Sequence, residues 1–286
     1  MGANPWDSTR VRPIGNGRYT ATISPAWNLA IAPQGGVVAS IAARAMEAEI
    51  NTKQPLRSLH GVFASPVAAG PVEIDVSVIR LGRSISQVQA TVRSIGSESG
   101  FTALAAFGAE RPGFQFVELE MPHVAPPEEC VSFRDPPPPE SGLDSMPQFG
   151  FWREVLEGRP ALGHAPWDTS ERGAAEVATW FRFDHTPEDD SGRFDQLALL
   201  VAADMMPSAV FEKVEPISEK WFAPSVDLTV HLVGIPTSTW ILNHNKAHFS
   251  SDGYASAEVA LWDPGGPEGP RLLAWGTQVM FFTSLK

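Results

Sequence analysis

Apolar and polar positions along the chain form a pattern that occurs twice. Residues 33–50, PQGGVVASIAARAMEAEI, are apolar nearly all round a helical wheel, with Val37, Val38, Ile41, Ala42, Ala45 and Met46 interleaved with small residues. A helix of this kind is expected to be buried rather than amphipathic. A strand follows from Ser58 (SLHGVFASPV), then two strands of a long hairpin (VEIDVSVIR and SISQVQATVRS), then a last apolar strand from Phe101 (FTALAAFGA). In the hairpin Val72, Ile74, Val76 and Val78 alternate with the period of a strand that has one buried face. The second half takes the same course. FDQLALLVAADMM from Phe194 reads as the helix, SVDLTVHLVGIP from Ser225 as the next strand, TWILNHNKAHF and YASAEVALWD as the hairpin, and RLLAWGTQVMFF from Arg271 as the closing strand. Ser58 and Ser225 are 167 residues apart, a period too long for a solenoid, so the chain is expected to hold two copies of one domain. Two copies in one chain imply a built-in dimer with a pseudo-two-fold axis.

Each half thus offers one buried helix and four to six strands, which an antiparallel sheet wrapped round a central helix would satisfy. Gly35, Gly36, Ala39, Ser40, Ala42 and Ala43 are small enough to let the sheet approach the first helix closely. Joining the two sheets edge to edge would remove two exposed edges, which are a hazard when left bare. From Arg111 to about Gly163 the chain is rich in proline and polar residues; HVAPPEEC and FRDPPPPESG exclude helix interiors and central strands. Pro136–Pro139 are expected to form a stiff polyproline II spacer. FGFWREVLEGRP reads as a short helix with Phe151, Trp152, Val155 and Leu156 on one face. The expected organisation is an N-terminal domain over 1–111, a Pro-rich linker with a short helix over 112–170, and a C-terminal domain over 171–286.

Composition narrows the function classes. No apolar run approaches the roughly 18 residues of a membrane span, the N-terminus shows no secretory apolar region, and Cys130 is the only cysteine, so no internal disulfide or cysteine-based metal site is expected. A cytoplasmic location is the simplest expectation. The net charge of −12 is unevenly placed: residues 1–111 carry 10 basic and 7 acidic side chains, and the remainder carries 11 and 26. The acidic half argues against a nucleic-acid partner, because phosphate contacts dominate that affinity. A small anionic ligand is compatible with the first half if Arg44, Arg57, Arg80, Arg83 or Arg93 gather; each alone reads as solvated surface.

Five stretches together resemble a known family. PQGGVVA resembles the glycine-pair start of the central helix of the double-hotdog acyl-CoA thioesterases of the thioesterase II type, and LRSLHGVFASPV resembles the strand after it. AADMMPSAV, APSVDLTVHL and LLAWGTQV match the family's Asp on the second helix, its hydroxyl residue two before an Asp, and its Gln on the last strand. The resemblance covers nearly the whole chain outside the linker. It implies an α+β double hotdog fold, that is, two tandem hotdog domains, and hydrolysis of acyl-CoA to a free fatty acid and coenzyme A. It also implies catalytic roles for Asp204, Ser225 and Gln278, with a Ser where the family more often has Thr. Family members commonly associate further, so a homo-oligomer is expected.

The chemistry these residues offer can be argued from their types. A carboxylate at the end of an apolar helix is costly to bury unless it is hydrogen-bonded. A hydroxyl and an amide are suitable partners, and Gln278 is a polar residue in a strand that otherwise reads as core. Together the three could hold a water that attacks a thioester while the carboxylate accepts a proton. Backbone N–H groups at the start of a hotdog helix are candidates for the oxyanion. No cofactor and no metal is required. The first half has no equivalent constellation, so one site per chain is expected, at the interface of the halves. Gly35, Gly36, His60, Met205 and Met206 are candidate substrate-binding residues, Phe211 a further lining candidate, and Trp221 and Phe222 candidates for the mouth of an acyl slot. Structural readings stand beside these. Asp204 could cap its helix or pair with Arg57 or Lys220, Ser225 could be a strand-entry residue, and Gln278 could satisfy a buried carbonyl. Asp227, His231 and His60 compete for the acid–base role. A hotdog hydratase or dehydratase, which wants an Asp/His pair, and a non-catalytic acyl-CoA binder or sensor remain as alternatives.

Overall fold

The computed structural model describes residues 4–30, 32–52, 54–141, 149–165, 167–168, 170–214, 221–265 and 269–284. The first half contains β1 (Arg12–Gly15), β2 (Arg18–Ile23), α1 (Gly35–Ile50), β3 (Leu56–Phe63), β4 (Gly70–Arg80), β5 (Ile85–Ser94) and β6 (Phe101–Gly108). The second contains β7 (Leu156–Leu162), β8 (Glu176–Phe183), α2 (Ala198–Ala203), α3 (Pro207–Lys213), β9 (Trp221–Phe222), β10 (Asp227–Leu232), β11 (Ile241–Ser251), β12 (Tyr254–Asp263), β13 (Arg271–Phe281) and β14 (Thr283–Ser284). Twelve of these strands form one antiparallel sheet in the order β1-β2-β4-β5-β6-β3-β10-β13-β12-β11-β8-β7, and β9 pairs with β14 apart from it. Read outward from its centre, the order is the same on both sides. β3 matches β10, β6 matches β13, β5 matches β12, β4 matches β11, and the outer hairpins match each other. This is the duplicated domain expected from the repeat, in the double hotdog form that the family resemblance implies.

The halves join through β3 and β10, which pair from Asp227↔Val62 to His231↔Ser58. The two remaining sheet edges, β1 and β7, carry Pro13 and Pro160, each beside a register shift. Proline withholds a donor and the shift bends the strand, so neither edge offers a flat template for another chain. That position also explains a departure from the sequence expectation. β7 lies inside the stretch read as linker, because an edge strand tolerates the proline and glycine that suggested otherwise. The short helix expected at residues 149–160 is a single wide turn, Phe151–Val155, and Leu156 already begins β7. Of the expected polyproline run, Pro139 starts a one-turn helix through Ser141. Met121, Val124 and Cys130 of the connection pack on a cluster of Trp180, Leu242 and Trp262, on the sheet face away from the helices.

α1 is one continuous helix, and eleven of its sixteen residues are buried, as its all-round apolar pattern requires. Of its two glycines, Gly35 meets the sheet as expected, since a Cβ there would lie 2.8 Å from the Phe63 ring of β3, but Gly36 meets α2 instead: a Cβ on it would lie 2.3 Å from the Leu200 carbonyl oxygen and 2.7 Å from Val201 Cα. One turn on, the Ser40 hydroxyl is 2.8 Å from the Gly36 carbonyl and 2.9 Å from the Leu197 carbonyl. The helix of the second half is shorter than its sequence suggested. It begins at Ala198, stops at Ala203, and resumes as α3 at Pro207, which has no N–H to continue the ladder.

Replacing Gly36 with alanine is expected to drive the two helices apart and cost about 1–3 kcal/mol, the usual range for overpacking. Gly113→Ala is expected to be neutral, since nothing lies within 4 Å of a Cβ there. Thermal unfolding of the two variants against the parent chain checks this.

Candidate active site

Asp204 occupies the break between α2 and α3 as the C-cap of α2, with φ −81° and ψ 54°. From there its carboxylate crosses to the first half and meets the amino end of α1. Oδ2 accepts from the Gly36 N–H at 2.8 Å and from Gln34 Nε2 at 3.0 Å, and the Gly35 N–H donates as well. A Cβ on Gly35 would fall 2.8 Å from this oxygen and 2.8 Å from the Phe63 ring, so the approach requires glycine. The positive end of the α1 dipole also favours an anion at this place. On the other side, Gln278 Nε2 donates to Asp204 Oδ1 at 2.5 Å and to the Ser225 Oγ at 2.6 Å, and the Ser225 hydroxyl also hydrogen-bonds the carboxylate.

The positions of Ser225 and Gln278 follow from the strands. Gln278 is fully buried on β13. Ser225 lies just ahead of β10 and bridges Met280 on β13. Asp227 fixes this entry, since its Oδ1 accepts from the Val279 N–H at 2.8 Å. Asp227 thereby ties the strand entry that carries Ser225 to β13. Gln278 Oε1 is buried and has no hydrogen-bond partner among the described residues. With its amide nitrogen facing the carboxylate, this oxygen is left as an acceptor beside the cluster.

Burial pushes the pKa of Asp204 up to about 7, while the hydrogen bonds from Gln278, Gly36, Gly35 and Ser225 pull the other way. A carboxyl balanced near neutrality can both take and return a proton. α1 carries another carboxyl, Glu47, that burial also raises to about 7. It lies three turns along the helix, under the influence of Arg44 and Asp195, and apart from the hydroxyl and amide of the cluster.

The structure brings together Asp204, Ser225, Gln278, Gly35 and Gly36. It does not bring His60 to them. Leu59 and Gly61 face the core, so His60 points to the opposite face of the sheet, where its Nδ1 is 2.7 Å from Thr229 Oγ1. His231 stacks on Trp275. Met206 is fully buried in the core and Met205 nearly so, next to Asp204 along the chain. Phe211 is partly exposed, and Trp221 packs edge-on against Phe282. The pairing of Asp204 with Arg57 is not formed, because Arg57 Nε donates to the Gly108 carbonyl at 2.9 Å; Lys220 lies outside the described residues. Nor do the arginines of the first half gather: Arg44 pairs with Asp195 at 2.6 Å and Arg93 with Asp75 and Glu73. The α1 N–H groups expected to await an oxyanion are engaged, Gly35 and Gly36 with Asp204 and Val37 with Gln34 Oε1 at 3.1 Å.

Gln34 is the site residue that the sequence reading passed over. It is 1% exposed, and its Nε2 reaches the Val201 carbonyl at 3.1 Å and the Asp204 carbonyl at 3.0 Å besides the carboxylate. Its signal was a polar residue directly ahead of two glycines and an apolar helix, the place of an N-cap. Gln34→Leu should strand buried carbonyls and an N–H group, costing about 2–4 kcal/mol, and denaturant titration measures the loss.

Two family models match the chain: the acyl-CoA thioesterase N-terminal domain over residues 23–108 and the acyl-CoA thioesterase C-terminal domain over residues 127–282. No curated protein sequence matches significantly. Among solved structures, a hot dog protein of unknown function from Alicyclobacillus acidocaldarius is 22% identical over the whole of both chains, with a TM-score of 0.80. An acyl-CoA thioesterase II from Mycobacterium marinum is 18% identical over 98% of each chain, with a TM-score of 0.71. The dehydratase domain of RzxB from Pseudomonas fluorescens is 12% identical over 93% of this chain and 94% of that one, with a TM-score of 0.53. At these identities the structural likenesses establish the fold, and the fold is shared by more than one chemistry.

Proposed function

The chain belongs to the acyl-CoA thioesterase family, and we propose that it hydrolyses an acyl-CoA thioester to a carboxylic acid and coenzyme A, with Asp204 as the general base for an attacking water. The observation that carries this reading is the convergence of Asp204, Ser225 and Gln278 on one point at the amino end of α1. The attacking water donates one proton toward Asp204 and the other toward the unpartnered Gln278 Oε1, and Ser225 holds the Gln278 amide in register. The water oxygen adds to the thioester carbon as Asp204 takes the proton. The intermediate then collapses, the C–S bond breaks, and the departing sulfur receives the proton from Asp204, which restores the carboxylate. Neither a metal nor a covalent nucleophile has a part in this sequence of steps.

The dehydratase reading needs a histidine beside the carboxylate. Among the described residues, the hydrogen-bond partners of the Asp204 carboxylate are Gly35, Gly36, Gln34, Ser225 and Gln278, and no histidine is one of them. Nothing in the site favours it over hydrolysis. Among the described residues no helix is long and apolar enough to cross a membrane.

Thiol release from acyl-CoAs of short to long chain, by the parent chain and Asp204→Asn, tests the proposal. Turnover of some members, lowered by roughly 10²–10⁴-fold in the variant, is expected; binding of acyl-CoA with no turnover in the parent chain would replace the reading with that of a binder. The pH dependence follows from the sign of the shift. Asp204 must be ionised to accept a proton, so kcat/KM should rise with pH through an apparent pKa near 7. The Gln278 bond favours the ionised form, so Gln278→Leu should move this rising limb to higher pH as well as lowering the rate. A limb unmoved in Gln278→Leu would separate the titrating group from Asp204.

A further inference from the structure

Asn243 and Asn245 are the two inward-facing amides of β11, 0% and 1% exposed, in a strand whose neighbouring inward positions are apolar. The corresponding strand of the first half, β4, presents Val72 and Ile74 inward, both fully buried. The halves differ in one other respect at the same place. α1 runs unbroken, whereas the helix of the second half is interrupted from Asp204 to Met206.

Breaking a buried helix frees carbonyl groups, and each must find a donor. Here the donors can be named. Gln34 serves the Val201 and Asp204 carbonyls, and the Met205 N–H bends back to Ala203 at 2.8 Å. Asn243 Nδ2 serves the Ala202 carbonyl at 2.6 Å. The Met205 carbonyl accepts from Ser208 Oγ at 2.7 Å and from Asn245 Nδ2 at 3.3 Å. Asn245 Nδ2 also lies 3.1 Å from Ser208 Oγ and 2.5 Å from Asn243 Oδ1, so the two amides form one unit behind the break. Two buried amides are costly in a core strand unless they answer a need of this kind.

We infer that Asn243 and Asn245 are positioning residues for Asp204: they hold the helix interruption that turns its carboxylate out of the α2 axis and onto the amino end of α1. Valine and isoleucine in their places, as in β4, would leave the Ala202 carbonyl without a donor, and the segment between α2 and Pro207 would have to repack to satisfy it, which carries the Asp204 carboxylate away from Gly36 and Gln278. The inference rests on the reading of Asp204 as general base for its effect on rate, but not for its effect on Asp204 itself.

The test replaces Asn243→Val and Asn245→Ile, singly, and reads two quantities. One is the titration of the Asp204 carboxyl by carbon-13 NMR; the other is kcat and KM for thiol release. A shifted titration with kcat lowered by roughly 10–100-fold and KM near that of the parent chain is expected. A shifted titration with unchanged kcat would keep the positioning role and overturn the general-base reading instead. An unshifted titration overturns the positioning role whatever the rate does. If the valine or isoleucine variant does not fold, Asn243→Ser and Asn245→Ser, which keep a shorter donor, carry the same two measurements and the same outcomes.

Discussion

The rest of the structure is organised around a buried carboxylate that one half contributes and both halves solvate. Water is replaced around Asp204 by the amino end of α1, the Gln34 and Gln278 amides and the Ser225 hydroxyl. Each requirement of that contact reaches back into the chain. Two glycines at the start of α1 are needed because a Cβ on either would collide with the second half. The two sheets must be joined at β3 and β10, since that junction sets α1 and α2 side by side. Neither half could form the cluster alone, which is a physical reason for keeping both copies in one chain.

The duplication therefore survives as an asymmetry. The first copy keeps a continuous helix and an apolar sheet face behind it, so its helix can present an intact N-terminus. The second copy gives up continuity at Pro207 and pays for the break with three amides: Gln34 ahead of α1, and Asn243 and Asn245 on β11. A dipole end is useful only if something charged faces it, and a charged side chain can face it only if its own helix stops. The intact helix and the broken one are complementary parts of one arrangement.

Much of this was legible in the sequence, and what was hidden shares a cause. The repeat, α1, β3 to β6 and β10 to β13 were readable because their apolar periods are determined by burial within each element. Asp204, Ser225 and Gln278 could be named because a family resemblance placed three polar residues in apolar surroundings. β7 was obscured by Pro160 and Gly158, which signal a break in isolation and become acceptable only at a sheet edge. His60 was misplaced because a strand residue's face depends on which neighbours the sheet supplies. Gln34, Asn243 and Asn245 were not singled out because their role answers carbonyls freed elsewhere in the chain, and no local pattern contains that demand. The small residues of α1 showed that something approaches closely without showing that it is another helix.

The electrostatic consequences reach stability as well as chemistry. Burial raises Asp204 and Glu47 to about 7, so between the ordinary carboxylate range and that value the folded chain retains protons the unfolded chain releases. The contribution of each to stability is full below the unfolded pKa and falls away as pH rises through about 7. Asp263 has the opposite sense: burial opposes its charge, but Ser238, Thr237 and Arg271 hold it well below the usual carboxylate range, so its contribution is present at neutral pH and fails in acid. Glu47 shows that a raised pKa by itself does not make a site, since it lacks the hydroxyl and amide that converge on Asp204. What separates the two carboxyls is geometry. One lies along a helix under the influence of Arg44 and Asp195, whereas the other is set at a helix break where donors from both halves meet, and only there can a transferred proton be matched by groups already in place to bear the change in charge.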